Sequence, residues 1–179
     1  HFFNIDLISK KIIIGTVQFG QNYGISNKTG RTSYKEVKKI LSYAKKKNFL
    51  YLDTSSEYGD AERILGKTNL QNWKIITKFK IEDLYKSKVD IRKKIISKII
   101  ESKKKLQIKK IHAVLLHNSE LILKKKGNEI YNSLKFAKKI GLISKFGYSI
   151  YSFSNLTKLC QKYRPDIIQC PYNIFDRRL

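Results

Sequence analysis

The feature that most constrains this chain is a repeated alternation of short apolar runs with longer amphipathic stretches. Ile12-Ile13-Ile14 reads as a buried strand and ends in Gly15-Thr16. From Ser33, a good N-cap, Val37, Ile40, Leu41 and Ala44 recur at helical spacing as far as Asn48. Phe49 to Leu52 is the next strand run and stops at Asp53. A short helix follows, with Ala61, Ile64 and Leu65 on one side and Gly66 near its end. Trp73 to Thr77 is a third strand, and Ile91, Ile95, Ile99 and Leu106 mark a long lysine-rich helix. Ile111 to Leu116 is a fourth strand that delivers His117. Ile130, Leu134, Ala137 and Ile140 form a helix closed by Gly141. Phe146-Gly147-Tyr148 belongs to a fifth strand. Leu156, Leu159 and Cys160 then mark a helix that Pro165 breaks, and Asp166 to Cys170 is a sixth strand.

Strands alternating with helices in this way are βα units, and they imply a parallel sheet in an α/β fold. Strands this apolar are expected to be covered on both faces. An open doubly wound sheet and a closed barrel both satisfy that pattern. The dinucleotide fingerprint G-x-G-x-x-G is absent after the first strand. Polar residues appear instead where several different strands end: Thr16, Asp53, Lys78, His117, Ser149 and Gln169. That distribution is how a (β/α)8 barrel assembles one site from many strand ends, and it favours the barrel. The 179 residues suit one domain over 1–179. A whole barrel needs roughly 250 residues, and the sixth strand is complete by Cys170. The expectation is therefore a barrel truncated after about the sixth strand, with strands one and six left as unpaired edges. The start at His1 rather than Met fits a processed or partial chain.

Hydrophobic residues make up 41% of the chain, a globular composition, yet no apolar run approaches the ~18 residues of a membrane span. His1 to Asp6 holds no basic segment followed by an apolar one, so no secretory signal is read there. Cys160 and Cys170 form no metal-type or redox pair and are expected to be reduced core residues of a cytoplasmic protein. The net charge of +24 invites a nucleic-acid reading. Against it, almost all the basic residues are lysines spread over nearly every helix, and only six are Arg, the better bidentate reader of phosphate and base edges. The runs 45–47, 103–105 and 124–126 are placed near helix ends, where cations suit the dipole. No specific nucleic-acid partner and no membrane partner are expected.

Asp53, Tyr58, Lys78 and His117 stand out because each lies at or just past the end of a strand, Asp53 and Tyr58 sharing one loop. In a barrel those ends converge. A free phenol, with a pKa of about 10, is a poor acid at neutral pH. A nearby ammonium stabilises phenolate and eases proton transfer, an aspartate can hold that ammonium in place, and an imidazole can orient a carbonyl. The set suits protonation of a carbonyl oxygen while hydride arrives at its carbon. Each residue alone has a plainer structural role open to it, and the joint pattern is what carries the reading.

The residues Asp53-Thr54-Ser55-Ser56-Glu57-Tyr58-Gly59, then Ala61-Glu62 and Leu65-Gly66, resemble the aldo-keto reductase signature "DTA-x-x-YG-x-(S/A)E-x-x-LG". Ile75-Ile76-Thr77-Lys78-Phe79 resembles that family's lysine strand, and Leu115-Leu116-His117 its histidine strand. Gly147-Tyr148-Ser149 is similar to its "G-x-S" strand and Gln169-Cys170-Pro171-Tyr172-Asn173 to its "Q-x-P-x-N". The opening Gly15 to Gly20, with Tyr23-Gly24-Ile25, is similar to bacterial members. The resemblance implies an NADPH- or NADH-dependent reductase of an aldehyde, ketone or sugar carbonyl, with Asp53, Tyr58, Lys78 and His117 as its tetrad and Tyr58 as general acid. By the same resemblance Ser149 and Gln169 hydrogen-bond the nicotinamide carboxamide, Gly15 and Thr16 approach the cofactor by backbone, and Asp53 lies beside it. Ile150 stands where many members carry Asn. Because the last two βα units supply much of the cofactor site in that family, this piece alone is expected to be inactive. The alternative is a truncated remnant or a non-catalytic binding subunit of the same fold.

Overall fold

A computed structural model of the chain describes residues 11–86, 90–152 and 154–174. The opening His1 to Asp6 and the last five residues lie outside the described residues. In chain order the elements are β1 (Ile13–Gly15), α1 (Val17–Gly20), α2 (Tyr34–Lys46), β2 (Tyr51–Asp53), α3 (Ala61–Gly66) and β3 (Lys74–Phe79). Then come α4 (Asp83–Lys86), α5 (Ile91–Leu106), β4 (Ile111–Leu116), a 3-10 turn (Ser119–Leu123) and α6 (Gly127–Lys139). They are followed by β5 (Ile143–Ser149), α7 (Leu156–Lys162) and β6 (Ile167–Gln169). The residues fall into two compact units. The first runs through Thr77 and includes Ser102–Ile111; the second comprises Lys78–Glu101 and the residues from His112 onward.

In the first unit β1, β2 and β3 lie in chain order, with β1 parallel to β2 and β2 parallel to β3. Ser33 caps α2 by accepting from the Glu36 amide, as its sequence position implies, and Lys45 and Lys46 occupy the last turn, where cations suit the dipole. Val37, Leu41 and Ala44 are the buried residues of this helix, and Val37 and Leu41 meet Leu52, Leu65 and Ile75 in one apolar core. Leu52 and Leu65 are fully buried, and each removes enough surface from water to contribute about 2 kcal/mol. A Cβ at Gly66 would stand 2.1 Å from the Lys105 carbonyl oxygen, so the signature's last glycine lets α3 end against the C-terminal turn of α5.

In the second unit β4, β5 and β6 lie in order, and β5 is parallel to β6 with Gly147 opposite Ile167 and Ser149 opposite Gln169. Ile130, Leu134 and Ala137 of α6 are fully buried, a helical stripe that packs on β5. Gly141 ends that helix at φ +77, the left-handed conformation expected of it. A Cβ at Gly147 would meet the Ile167 carbonyl oxygen at 1.8 Å, so only glycine allows β5 and β6 to pair there. The strand–helix succession with parallel neighbours is that of a (β/α)8 barrel, of which six strands are present among the described residues.

Several expectations need correction. β2 begins at Tyr51, not Phe49, because Asn48 turns the chain at φ 60 and the Phe49 amide still bonds the Ala44 carbonyl of α2. β3 begins one residue late and runs on through Lys78 to Phe79, since the Trp73 amide closes a turn on Leu70. The run 124–126 lies at the N-terminal end of α6, where the dipole does not favour it; Lys126 instead donates to the Leu84 carbonyl. β1 and β6 are not covered on both faces, as Ile13 and Ile168 are exposed, and each has a strand neighbour on one side only among the described residues. Neither cysteine is a core residue: Cys160 is half-buried and Cys170 exposed, and both are free thiols.

Candidate active site

In the first unit the ends of β1 and β2 carry three of the expected residues side by side. Gly15 and Asp53, the last residues of their strands, are opposite each other in register. The amide and the hydroxyl of Thr16 both donate to the Asp53 carbonyl, at 3.0 and 2.9 Å, and Thr16 is fully buried. Its side chain therefore ties the two strand ends together. Asp53 is 9% exposed. Tyr58, half-buried, follows five residues later on the loop that leads to α3. The Tyr58 amide donates to the Ser55 carbonyl and its own carbonyl accepts from the Ala61 amide, so the loop is a tight wound turn.

Two glycines seat that loop. A Cβ at Gly20 would lie 1.7 Å from the Tyr58 carbonyl oxygen, and one at Gly59 would lie 2.6 Å from that of Gly20. Gly59 also needs φ +54. The glycine after Tyr58 in the signature is thus a packing requirement of the tyrosine loop.

Lys78 is the penultimate residue of β3 and is 2% exposed. Among the described residues it is the only buried lysine. Burying an ammonium is costly unless charge and hydrogen bonds compensate it, so such a position is seldom incidental. His117 follows β4 directly, and its amide donates to the Phe79 carbonyl at 3.0 Å. Ser149 and Gln169 end β5 and β6 opposite each other, and the Ile150 amide donates to the Gln169 carbonyl at 2.9 Å. His117, Ser149 and Ile150 share a cleft of about 610 Å³, within the usual size of ligand sites. Asp53 and Tyr58 belong to the first unit, Lys78 and His117 to the second.

Sequence reasoning missed four contributors. Ser119, buried, donates its hydroxyl to the Ser149 carbonyl at 3.0 Å and so fixes the end of β5. Glu62 is 2% exposed and accepts from the buried Thr77 hydroxyl at 2.7 Å, which clamps β3 one residue before Lys78. Gly20 acts through close approach, and Glu82 lies on the wall of the cleft. The signature contains Glu62 and its acid type at a helix start was a signal; the Ser119 and Gly20 contacts are long-range and leave no local pattern. Tyr148, by contrast, is no proton donor to a ligand. It is fully buried, its hydroxyl donates to the Tyr163 carbonyl at 2.7 Å, and burial pushes its phenol far above the ordinary value.

No helix among the described residues is long and apolar enough to cross a membrane. No curated protein matches the chain in sequence. Among solved structures, the chain is similar to an aldo-keto reductase from Pseudomonas aeruginosa, with a TM-score of 0.75 and 25% identity, over 92% of this chain and 64% of that one. It is also similar to the holo form of an aldo-keto reductase from Bacillus halodurans, with a TM-score of 0.69 and 22% identity over 93% and 55% of the two chains. A third is an aldo-keto reductase from Bombyx mori in complex with NADP, with a TM-score of 0.66 and 21% identity over 90% and 54%. The chain thus spans less than two thirds of the length of these structures. Residues 11–179 match the Aldo/keto reductase family, and the chain belongs to that family.

Proposed function

We propose that the protein, with its barrel complete, reduces an aldehyde, ketone or sugar carbonyl to an alcohol with NADPH or NADH, using Asp53, Tyr58, Lys78 and His117. The observation that carries this reading is Lys78 at the end of β3, the single buried lysine among the described residues. Nothing in the packing of a strand end calls for an ammonium, whereas activation of a phenol does.

The residues present fit a nicotinamide cofactor. Ser149 and Gln169, paired at adjacent strand ends, offer a hydroxyl and an amide, which match the donor and acceptor of a carboxamide. A Cβ at Gly15 would meet no described atom within 4 Å, so the chain's own packing does not require glycine there and a ligand can approach the backbone closely. When bound, the reduced nicotinamide supplies hydride to the carbonyl carbon. Tyr58 gives its phenolic proton to the carbonyl oxygen as that oxygen gains charge, leaving phenolate. The Lys78 ammonium stabilises the phenolate, the Asp53 carboxylate keeps Lys78 charged and oriented, and a ring nitrogen of His117 holds the carbonyl oxygen.

The test is carbonyl reduction, with each cofactor, by a chain that carries a complete barrel, compared with Tyr58→Phe in that same chain. Loss of the general acid is expected to lower kcat by roughly 10²-fold or more while the cofactor still binds. Turnover that survives in Tyr58→Phe overturns the assigned mechanism. A chain that binds cofactor yet reduces nothing favours the non-catalytic binding subunit.

A further inference from the structure

The net charge of +24 is not shared evenly among the clefts of the molecule. The cleft that holds His117 is lined by Glu82 and Glu120 against Lys80. Two clefts of the first unit carry the opposite balance. One, of about 640 Å³, is lined by Arg31, Arg63 and Lys67, with Asp60 as its acid. The other, of about 400 Å³, is lined by Lys38, Lys45 and Lys67 and by no acid. Lys67 belongs to both, so they adjoin as one groove between α2 and the stretch from α3 to Trp73. Five cations line it against one carboxylate. The groove shares no residue with the strand-end site proposed for carbonyl reduction.

An abundance of lysine does not by itself explain this wall. Two of the six arginines of the chain meet in the larger cleft, and the planar fork of Arg pairs with two phosphate oxygens at once. Arg31 reaches Asp60 only at 3.5 Å, with both side chains open to water, so an incoming anion can take the place of that partner. Among the described residues no carboxylate pairs with Lys45, Arg63 or Lys67. The walls are tied together. The Tyr34 hydroxyl donates to the Lys67 carbonyl at 2.7 Å, which joins the start of α2 to the end of α3, and Lys38 Nζ lies over the Tyr34 ring. Like charges held in a concave wall focus a positive potential into it, and a compact polyanion relieves their repulsion. Five cations less one acid exceed what a single phosphate, at about −2, can offset, and they suit two. Both clefts have the size of small-ligand sites.

We propose that this groove is a binding site for a small ligand that carries a diphosphate group. Arg31 and Arg63 take the phosphate oxygens at one end, and Lys38, Lys45 and Lys67 complete the neutralisation.

The chain has a single tryptophan, and Trp73 lines the smaller cleft, so its emission reports the groove. The chain is titrated with pyrophosphate at about 0.15 M NaCl, where scattered surface charges are largely screened, with calorimetry alongside. Saturable binding is expected, with inorganic phosphate about tenfold weaker. Arg63→Gln/Lys67→Gln is expected to raise the half-saturation concentration about tenfold. Lys139→Gln/Lys158→Gln, which removes the same charge from the second unit, is expected to leave it unchanged. All four side chains are exposed, so both variants keep the fold, and calorimetry decides where a substitution alters Trp73 emission by itself. ADP separates the sources of the group. Binding tighter than that of pyrophosphate assigns a diphosphate carried on a nucleoside, and binding no tighter assigns a free one. The absence of saturable heat, or equal weakening in the two double variants, overturns the proposal. So does inorganic phosphate that binds as well as pyrophosphate, or a short single-stranded RNA that saturates the groove at lower concentration than either diphosphate.

Discussion

The backbone of Tyr58 is held by close contacts, and the approach of Gly20 is the tightest of them. The space available to a Cβ at Gly20 ends 1.7 Å away at the Tyr58 carbonyl oxygen, and the Ala61 amide nitrogen is only 2.4 Å away. Neither neighbour is a flexible side chain that can swing aside. Gly20→Ala must therefore push the tyrosine loop away from α1. We expect it to cost about 3 kcal/mol in urea denaturation and to lower turnover further than that loss alone explains. An unchanged denaturation midpoint would mean that the loop moves without cost. The residues of the candidate site were legible in the sequence because Asp53, Tyr58 and Gly59 form a local motif with fixed spacing. Gly20 was legible only as part of an opening, since its partner lies 38 positions away and no periodicity reports such a contact.

At the scale of the elements, all six strands and five of the helices were readable from apolar spacing, and the errors lie at their ends. A strand end is set by which amide is still engaged by the preceding element, and a composition pattern does not record that; Phe49, apolar but bonded back to α2, shows it. The sixth strand shows it too. Asp166 reads as its first residue, yet it sits before β6 and acts as a clasp: its carboxylate accepts from Lys138 Nζ at 2.6 Å and from the Phe146 amide at 3.1 Å. Burial opposes ionisation of Asp166, but those two hydrogen bonds outweigh it and hold the carboxyl below its ordinary value. A carboxyl whose folded pKa is lowered contributes stability that is present above the unfolded value and lost as pH falls through the folded one. The difference in unfolding free energy between the parent chain and Asp166→Asn is thus expected to be about 1 kcal/mol at neutral pH and to shrink below about pH 4. A difference that stays constant down to acid pH would mean that the clasp acts through shape and not through charge. At the other end of the first unit, Ser33→Ala removes the cap that accepts from Glu36 and is expected to cost about 1 kcal/mol in the same assay.

For the molecule as a whole, the dominant quantity is the charge of +24, carried by 38 basic side chains against 14 acidic ones. Apart from Lys78, every lysine described is half-buried or exposed, and ion pairs such as Lys39 with Glu36 and Arg31 with Asp60 are open to water and contribute little. With too few acids to pair them, most of the cations act on one another, and that repulsion is larger in the compact state than in the extended one. Salt weakens it: the screening length falls from about 30 Å at 0.01 M to about 8 Å at 0.15 M, shorter than the span of a folded domain. We therefore expect Tm to rise by several degrees as NaCl is added over that range, with most of the gain complete by its upper end. A flat profile would mean that the lysines are spaced widely enough not to repel even at low salt. The same titration bears on nucleic acid. Lysines spread over many elements attract phosphate without reading bases, so RNA retained at low salt is expected to be lost over this range with no preference for sequence. Binding that survives 0.15 M salt would mean that the fold gathers these lysines into a concentrated basic face.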